Sequence, residues 1–325
     1  MKNIFFVFCC FTFFSCGKET VSRTEFLIGT FCTIKIPKSK SADFILDECF
    51  EKIKTLEYIF SANDFNSELS KLNEVAFKKP TEVSNELLDL IILAKKIAEK
   101  TDGAFEPAIG NLVKLWGIGF ENENLPSEVK IKKAIEDLSY KNILIDGNKI
   151  SFTNENIKID LGAIAKGHIT DLIVKLLKEK KVESASINLG GNIYVLGKKF
   201  FTDDNWRIGL RKPYEDLNSY ELVLSVNNTN VVTSGIYERY FEKDGTKYHH
   251  ILDSKTGYPV RNNLVSVSVV CESSAYADAL ATAFLVMGYE KSIHFIKNFS
   301  EKKIDAVFIF SDNSYKTTNK SLLVK

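Results

Sequence analysis

The chain has 325 residues, and its 43 basic and 42 acidic side chains leave a formal charge of +1, with the two signs interspersed rather than gathered into blocks. That distribution excludes the basic face expected of a nucleic-acid binder. A hydrophobic content of 45%, with 24 Phe, can fill the core of one large domain or of two closely packed ones.

The opening MKNIFFVFCCFTFFSCGKET places Lys2 before an apolar run from Ile4 to Phe14 that only Thr12 interrupts. This is the pattern of a secretory signal, and it falls short of the roughly 20 apolar residues that span a bilayer. Ser15, Cys16 and Gly17 resemble a bacterial lipoprotein cleavage site, with Phe13 where Leu is usual. The expected organisation is a signal peptide over 1–15, a tether over 16–22 lipidated on Cys16, and a folded part over 23–325. The protein would then sit on a membrane facing the periplasm. Cleavage leaves Cys16, Cys32, Cys49 and Cys271, without CxxC pairs or a dense even set, so neither a disulfide framework nor a zinc site is expected. Cys32 and Cys271 in strand-like runs and Cys49 on an apolar helix face read as buried, unreactive thiols.

Thr24 to Ile36 reads as a strand in which Gly29 marks a bulge or a close approach of a ligand to the backbone. Ser41 caps a helix whose apolar positions Ile45, Phe50, Ile53, Leu56 and Phe60 form one stripe, and the polar loop Ser61 to Asn66 ends it. A second helix runs from Ser84 to Thr101 and closes at Asp102-Gly103. Pro126-Ser127 opens a third, followed by strands at 142–145, 149–152 and 157–160, the first two turning on Asp146-Gly147. A helix from Ala163 to Lys180 precedes strands at 184–188 and 192–197, then at 206–211, 221–226, 237–241 and 247–252. Strand Leu264 to Val270, helix Ser274 to Met287, helix Glu290 to Phe299 and strand Asp305 to Phe310 close the chain. Without regular βαβ alternation the fold class is α+β.

Three segments look unlike scaffold. In DLGAIAKGHITD, Asp160 to Asp171, a carboxylate and a glycine precede a helix start carrying Lys166. Such a turn either offers free N–H groups to a phosphate or is simply tight, with a capping carboxylate. In SSAYADALATAFLVMG, Asp278 and Thr282 share a helix face among small alanines. Together they supply hard oxygens suited to Mg²⁺, or else Asp278 is a solvated acid and Thr282 bonds back to its own helix. In the segment Thr233 to Val260, His249 and His250 lie on a strand and face opposite ways. One is either a general base, with Asp253 near to orient it, or structural.

These segments, in this order, resemble the ApbE family of FAD:protein FMN transferases. The motifs that carry the resemblance are IGT (28–30), SELSKLN (67–73), GAFEP (103–107), DLGAIAKG (160–167), NLGGN (188–192), TSGIYERY (233–240), HHILDSKTGYP (249–259) and ADALAT (277–282). The resemblance implies two closely packed α+β units with the flavin site between them, and a reaction in which FAD is the substrate. Mg²⁺ binds its pyrophosphate, a threonine or serine hydroxyl of an acceptor protein attacks the FMN phosphorus, and AMP leaves. It assigns the metal to Asp278, Thr282 and the Ala163 carbonyl, and FAD contacts to Ile28, Ala104, Phe105, Glu106, Asp160, Lys166 and Ile251. The proton of the acceptor hydroxyl goes to His250 or Asp278. The implied acceptors are flavoprotein subunits of membrane redox complexes. Two positions depart from the family pattern: Glu106 stands where Asp is usual, and Asn63 where an aromatic residue often covers the dinucleotide. Hydrolysis of FAD to FMN and AMP, and flavin binding without catalysis, are the competing readings.

Overall fold

The computed structural model describes residues 18–216 and 219–324, so the expected signal peptide and Cys16 lie outside the described residues. A hairpin of β1 (Thr20–Leu27) and β2 (Thr30–Pro37) leads into α1 (Ala42–Phe60), α2 (Glu68–Val75), β3 (Thr81–Glu82) and α3 (Asn85–Lys100). Then come α4 (Gly110–Trp116), α5 (Glu128–Ile135), the hairpin β4 (Ile143–Asp146) and β5 (Lys149–Phe152), and α6 (Ala165–Glu179). The strands β6 (Ala185–Leu189), β7 (Asn192–Leu196), β8 (Trp206–Arg211), β9 (Tyr220–Val226), β10 (Thr229–Gly235), β11 (Tyr240–Lys243), β12 (Thr246–His249) and β13 (Leu264–Cys271) follow. The described chain closes with α7 (Ser274–Met287), α8 (Tyr289–Asn298), β14 (Ile304–Phe310) and β15 (Tyr315–Thr317).

Eight strands form one antiparallel sheet in the order β1-β2-β6-β7-β10-β13-β14-β15. Every residue of β13 is buried, because α7 covers one face of this central strand and the β8–β9 ribbon covers the other. Helix α7 is buried almost all round, as expected for a helix lacking a polar face. Its alanines let α6 approach closely, and a Cβ on Gly167 would lie 2.3 Å from the Ser274 carbonyl oxygen. Beside the large core and the core beneath the ribbon, a third gathers Leu112, Trp116, Ile118, Ile131 and Leu252.

The mixed elements and antiparallel sheet agree with the α+β class. Cys32, Cys49 and Cys271 are free and buried, and burial pushes the Cys32 thiol up to about 11 and Cys49 to about 12. Several sequence expectations change. Thr24–Ile36 is two strands rather than one: Ile28 and Gly29 both have positive φ (51° and 70°) and form a two-residue hairpin turn. Residues 20–22 belong to β1 instead of a tether, since Thr20 pairs with Pro37 and the Lys38 N–H donates to the Glu19 carbonyl. Residues 157–160 are not a ladder strand. The Asn73 side chain grips both the N–H and the carbonyl of Ile159, while Asp160 N–H donates to Pro107.

Because the α6–α7 contact leaves no room for a side chain at 167, Gly167→Ala is expected to cost about 3 kcal/mol or more through overpacking. Thermal or denaturant unfolding measures this directly; an unchanged midpoint would show that the two helices can separate freely.

Candidate active site

At the start of α6 the backbone donors find separate partners. Ala165 and His168 donate to Leu161 and Ile164 in the normal way, but the Gly167 N–H donates to Asp278 Oδ2 at 2.9 Å. Gly167 is the third residue of α6, so its N–H is one of the helix-start donors without a partner inside the helix, and the Ala163 carbonyl precedes the helix. Among the described residues that carbonyl accepts no hydrogen bond from the backbone or from a side chain.

Asp278 is 4% exposed, so it is not a solvated acid. Its Oδ1 lies 3.9 Å from Lys166 Nζ, which also donates to the Gly162 carbonyl at 3.2 Å. One turn on, Thr282 Oγ1 is 3.1 Å from Ser234 Oγ on β10, a contact across to the sheet rather than back to its own helix. The helix is fixed from its N-terminus by Asp171 of α6. This half-buried carboxylate accepts the Ser274 N–H at 2.7 Å, the Ser273 hydroxyl at 2.9 Å and the Ala275 N–H at 3.1 Å, and desolvation raises its pKa. Asn192 Oδ1 completes the joint, accepting from Ser274 and Thr170. One carboxylate, one hydroxyl and a free backbone carbonyl are a hard-oxygen set of the kind that suits Mg²⁺. No group of three or more His, Cys, Asp or Glu able to hold a metal is found among the described residues.

Asp160 Oδ1 accepts the Gly162 N–H at 2.7 Å. Burial raises this carboxyl's pKa against the opposing pull of that N–H, Lys166 and Arg239. The two histidines do face opposite ways. His249 is buried with Nε2 on the Val260 carbonyl, whereas His250 Nδ1 lies 3.2 Å from the Arg239 carbonyl, which also accepts the His250 N–H. A carbonyl can only accept, so His250 carries its proton on Nδ1 and leaves Nε2 as a lone pair. Burial first, then the charges of Arg239 and Lys166, push the His250 pKa down to about 4, so the ring is neutral at pH 7. Asp253 does not orient it; that carboxylate caps its own turn through the Lys255 N–H and Thr256 hydroxyl.

Ile251 packs in the large core while the next residue, Leu252, belongs to the core around Trp116. Ile28 is half-buried, and its N–H donates to Glu57 Oε1 at 2.7 Å. Asn63 is exposed in the loop after α1. Of the GAFEP residues only Ala104 reaches the surface. Phe105 is in the core, and Glu106 is 8% exposed, turned back to accept the Ala108 N–H at 2.9 Å, its pKa raised by burial. A cleft of about 510 Å³ between the Thr101–Ala104 turn, the Asp253–Lys255 loop and α8 includes Ala104 but none of Asp160, Lys166, His250, Asp278 or Thr282. Geometry rather than volume therefore marks the site. Sequence reasoning singled out neither Ser234, Arg239 nor the cap Asp171. Each lay inside a segment already suspected, but only folding supplies its partner.

The ApbE family model matches residues 28–308. The FAD:protein FMN transferase of Treponema pallidum (strain Nichols) is 38% identical, over 92% of this chain and 88% of its own length. That of Klebsiella pneumoniae (strain 342) is 36% identical over 89% and 88%. Among solved structures, the ApbE protein of Thermotoga maritima superposes with a TM-score of 0.86 at 32% identity, covering 94% of this chain and all of that one. The flavin transferase ApbE of Vibrio cholerae gives 0.81 at 28%, covering 92% and 96%. With matches of this extent over the elements that build the Gly167–Asp278 joint, the chain belongs to the ApbE family.

Proposed function

We propose that this chain is an FAD:protein FMN transferase that moves the FMN part of FAD onto a threonine or serine hydroxyl of an acceptor protein. The observation that carries the reading is the Gly167 N–H at the start of α6, held by the buried Asp278 carboxylate, in a turn whose Ala163 carbonyl accepts no hydrogen bond among the described residues. Ala163, Asp278 and Thr282 would hold Mg²⁺, which when bound neutralises charge on the pyrophosphate. Lys166 and Arg239 add positive charge around the same anion, and the N-terminal turn of α6 offers its dipole. His250 Nε2 takes the proton as the acceptor oxygen forms its bond to the FMN phosphorus. The bond from that phosphorus to the bridging oxygen breaks, and AMP leaves with that oxygen. A lipid on Cys16 would confine the enzyme to the surface that carries its acceptors, flavoprotein subunits of membrane redox complexes, and raise their effective concentration.

A second reading, FAD hydrolysis by water, is favoured by one residue. Asn63 is exposed and offers no ring to cover a dinucleotide, so bound FAD lacks a stacking contact worth on the order of 1 kcal/mol. Both readings share the site and differ in the nucleophile.

Incubation with FAD and Mg²⁺, with and without an acceptor fragment, separates them: fluorescent labelling reports transfer, and AMP alone reports hydrolysis. Asp278→Ala is expected to lower either activity by about 10²-fold or more, and an unaffected rate would remove the metal assignment. Asn63→Tyr should retain FAD through dialysis better than the natural protein; equal loss from both would show that the loop does not cover the ligand.

The neutral His250 also has a signature in stability. An unfolded chain protonates this ring near its ordinary pKa of about 6.5, whereas the folded protein does so only near 4. Its contribution is therefore fully present above pH 6.5 and is lost as pH falls from 6.5 towards 4. His250→Gln should shrink the drop in Tm between pH 7 and pH 5 while cutting transfer at pH 7 by about 10²-fold. A variant with the wild-type drop would place the ring in water.

A further inference from the structure

Phenylalanine is normally an interior residue, yet Phe26 is 65% exposed, Phe31 67% and Phe65 88%. Phe26 and Phe31 are cross-strand partners at the tip of the β1–β2 hairpin, with ring centroids 5.4 Å apart, edge to face. On the same outer face, the neighbouring pair Thr24 and Thr33 is polar, its hydroxyls 2.9 Å apart. The β8–β9 ribbon covers this side of the sheet over Val195, Val231 and Val270, on β7, β10 and β13. The apolar surface is thus confined to the tip.

That tip is joined to the active site by direct contacts. Ile28, in the turn, donates to Glu57 of α1. Phe60, one turn later, lies against His168 at 5.7 Å, and His168 follows the Gly167 whose N–H holds Asp278. The loop bearing Phe65 leaves from the same end of α1.

We propose that Phe26, Phe31 and Phe65 form the docking surface for the acceptor protein, receiving an apolar side chain near its target hydroxyl. This rests on the transferase reading. Two observations select a protein substrate over other occupants. The chain enters β1 at Thr20, and eight strand residues, about 25 Å, separate that end from the tip. The lipid proposed on Cys16 would therefore pull on the opposite end of the hairpin, away from the tip. The three rings expose roughly 400 Å², about half of what each partner contributes to a stable complex. A substrate that must leave after modification needs no more, whereas a lasting dimer does.

The test compares the full chain with its Phe26→Ser/Phe31→Ser variant, and separately with Phe65→Ser. The probes are FAD, Mg²⁺ and a soluble fragment of a membrane redox subunit carrying the candidate threonine. The double variant is expected to raise the KM for the fragment about ten-fold, equivalent to about 1.4 kcal/mol, with Phe65→Ser acting in the same direction. AMP release from FAD without acceptor, and the KM for FAD, should stay within two-fold, and Phe26→Leu/Phe31→Leu should restore most of the lost affinity. Unchanged acceptor KM in a wild type that labels would overturn the docking surface alone. A parallel fall in AMP release would assign the rings to the FAD site or to folding and would also overturn it. So would loss by the variant of wild-type binding to anionic phospholipid vesicles, or of a wild-type dimer. No labelling by the wild type would instead remove the transferase reading, and docking with it.

Discussion

The hydrogen bond from the Gly167 N–H to Asp278 Oδ2 is the constraint around which the site is arranged. It gives a helix-start donor of α6 a partner on α7, so one interaction joins two helices and holds a buried carboxylate. Only glycine allows it, because any Cβ at 167 would strike the Ser274 backbone. The site's geometry is therefore set by backbone contact between helices, which is stiffer than a contact between two side chains. The Asp171 cap and the Asn192 bridge act on the same joint one turn further along α6, so α7 is fixed in position and rotation before Asp278 and Thr282 are reached.

That arrangement leaves Asp278 under-compensated. A carboxylate 4% exposed has one N–H at 2.9 Å and one ammonium at 3.9 Å, too long for a strong ion pair. Removing one partner from a buried charge is costly, and a fold selected for stability alone would place Lys166 closer or replace Asp278 by an apolar residue. A further carboxylate, Asp160, has its own pKa raised by burial. Lys166, tied to the Gly162 carbonyl, stays too far from Asp278 to compensate it fully.

Much of this was legible in the sequence because it depends on local pattern. The helical stripe from Ile45 to Phe60, the Asp146-Gly147 turn and the buried run at 264–271 follow from periodicity and turn chemistry. What escaped depends on distant partners. Strand β10, rich in Asn, Thr and Ser, is a strand because β7 and β13 flank it. Residues 157–160 have strand composition but are held by Asn73 and Pro107 instead of a ladder. Short α2 and α4 were hidden inside segments read for motifs or as loop. At the site, composition offered Asp278 and Thr282 with two readings each. Burial of Asp278 and the Ser234 partner of Thr282 remove the solvated and back-bonded readings, and spacing reveals neither.

The hairpin tip shows the same preference for function over ease of folding. A two-residue turn with both φ positive favours Asn-Gly, and here its first position is Ile28, a β-branched residue at φ 51°. Such a residue costs on the order of 1–3 kcal/mol and persists only where its surroundings fix it. The fixing is visible: Glu57 accepts the Ile28 N–H, and Thr30 is seated against Gly190, where a Cβ would meet its hydroxyl at 2.4 Å. Asparagine would relieve the strain and keep the turn, so the selected feature is the apolar side chain rather than the turn itself. Ile28 packs against the large core from a half-buried position, between the two exposed rings of Phe26 and Phe31. The tip therefore joins an apolar contact facing the interior to one facing the solvent.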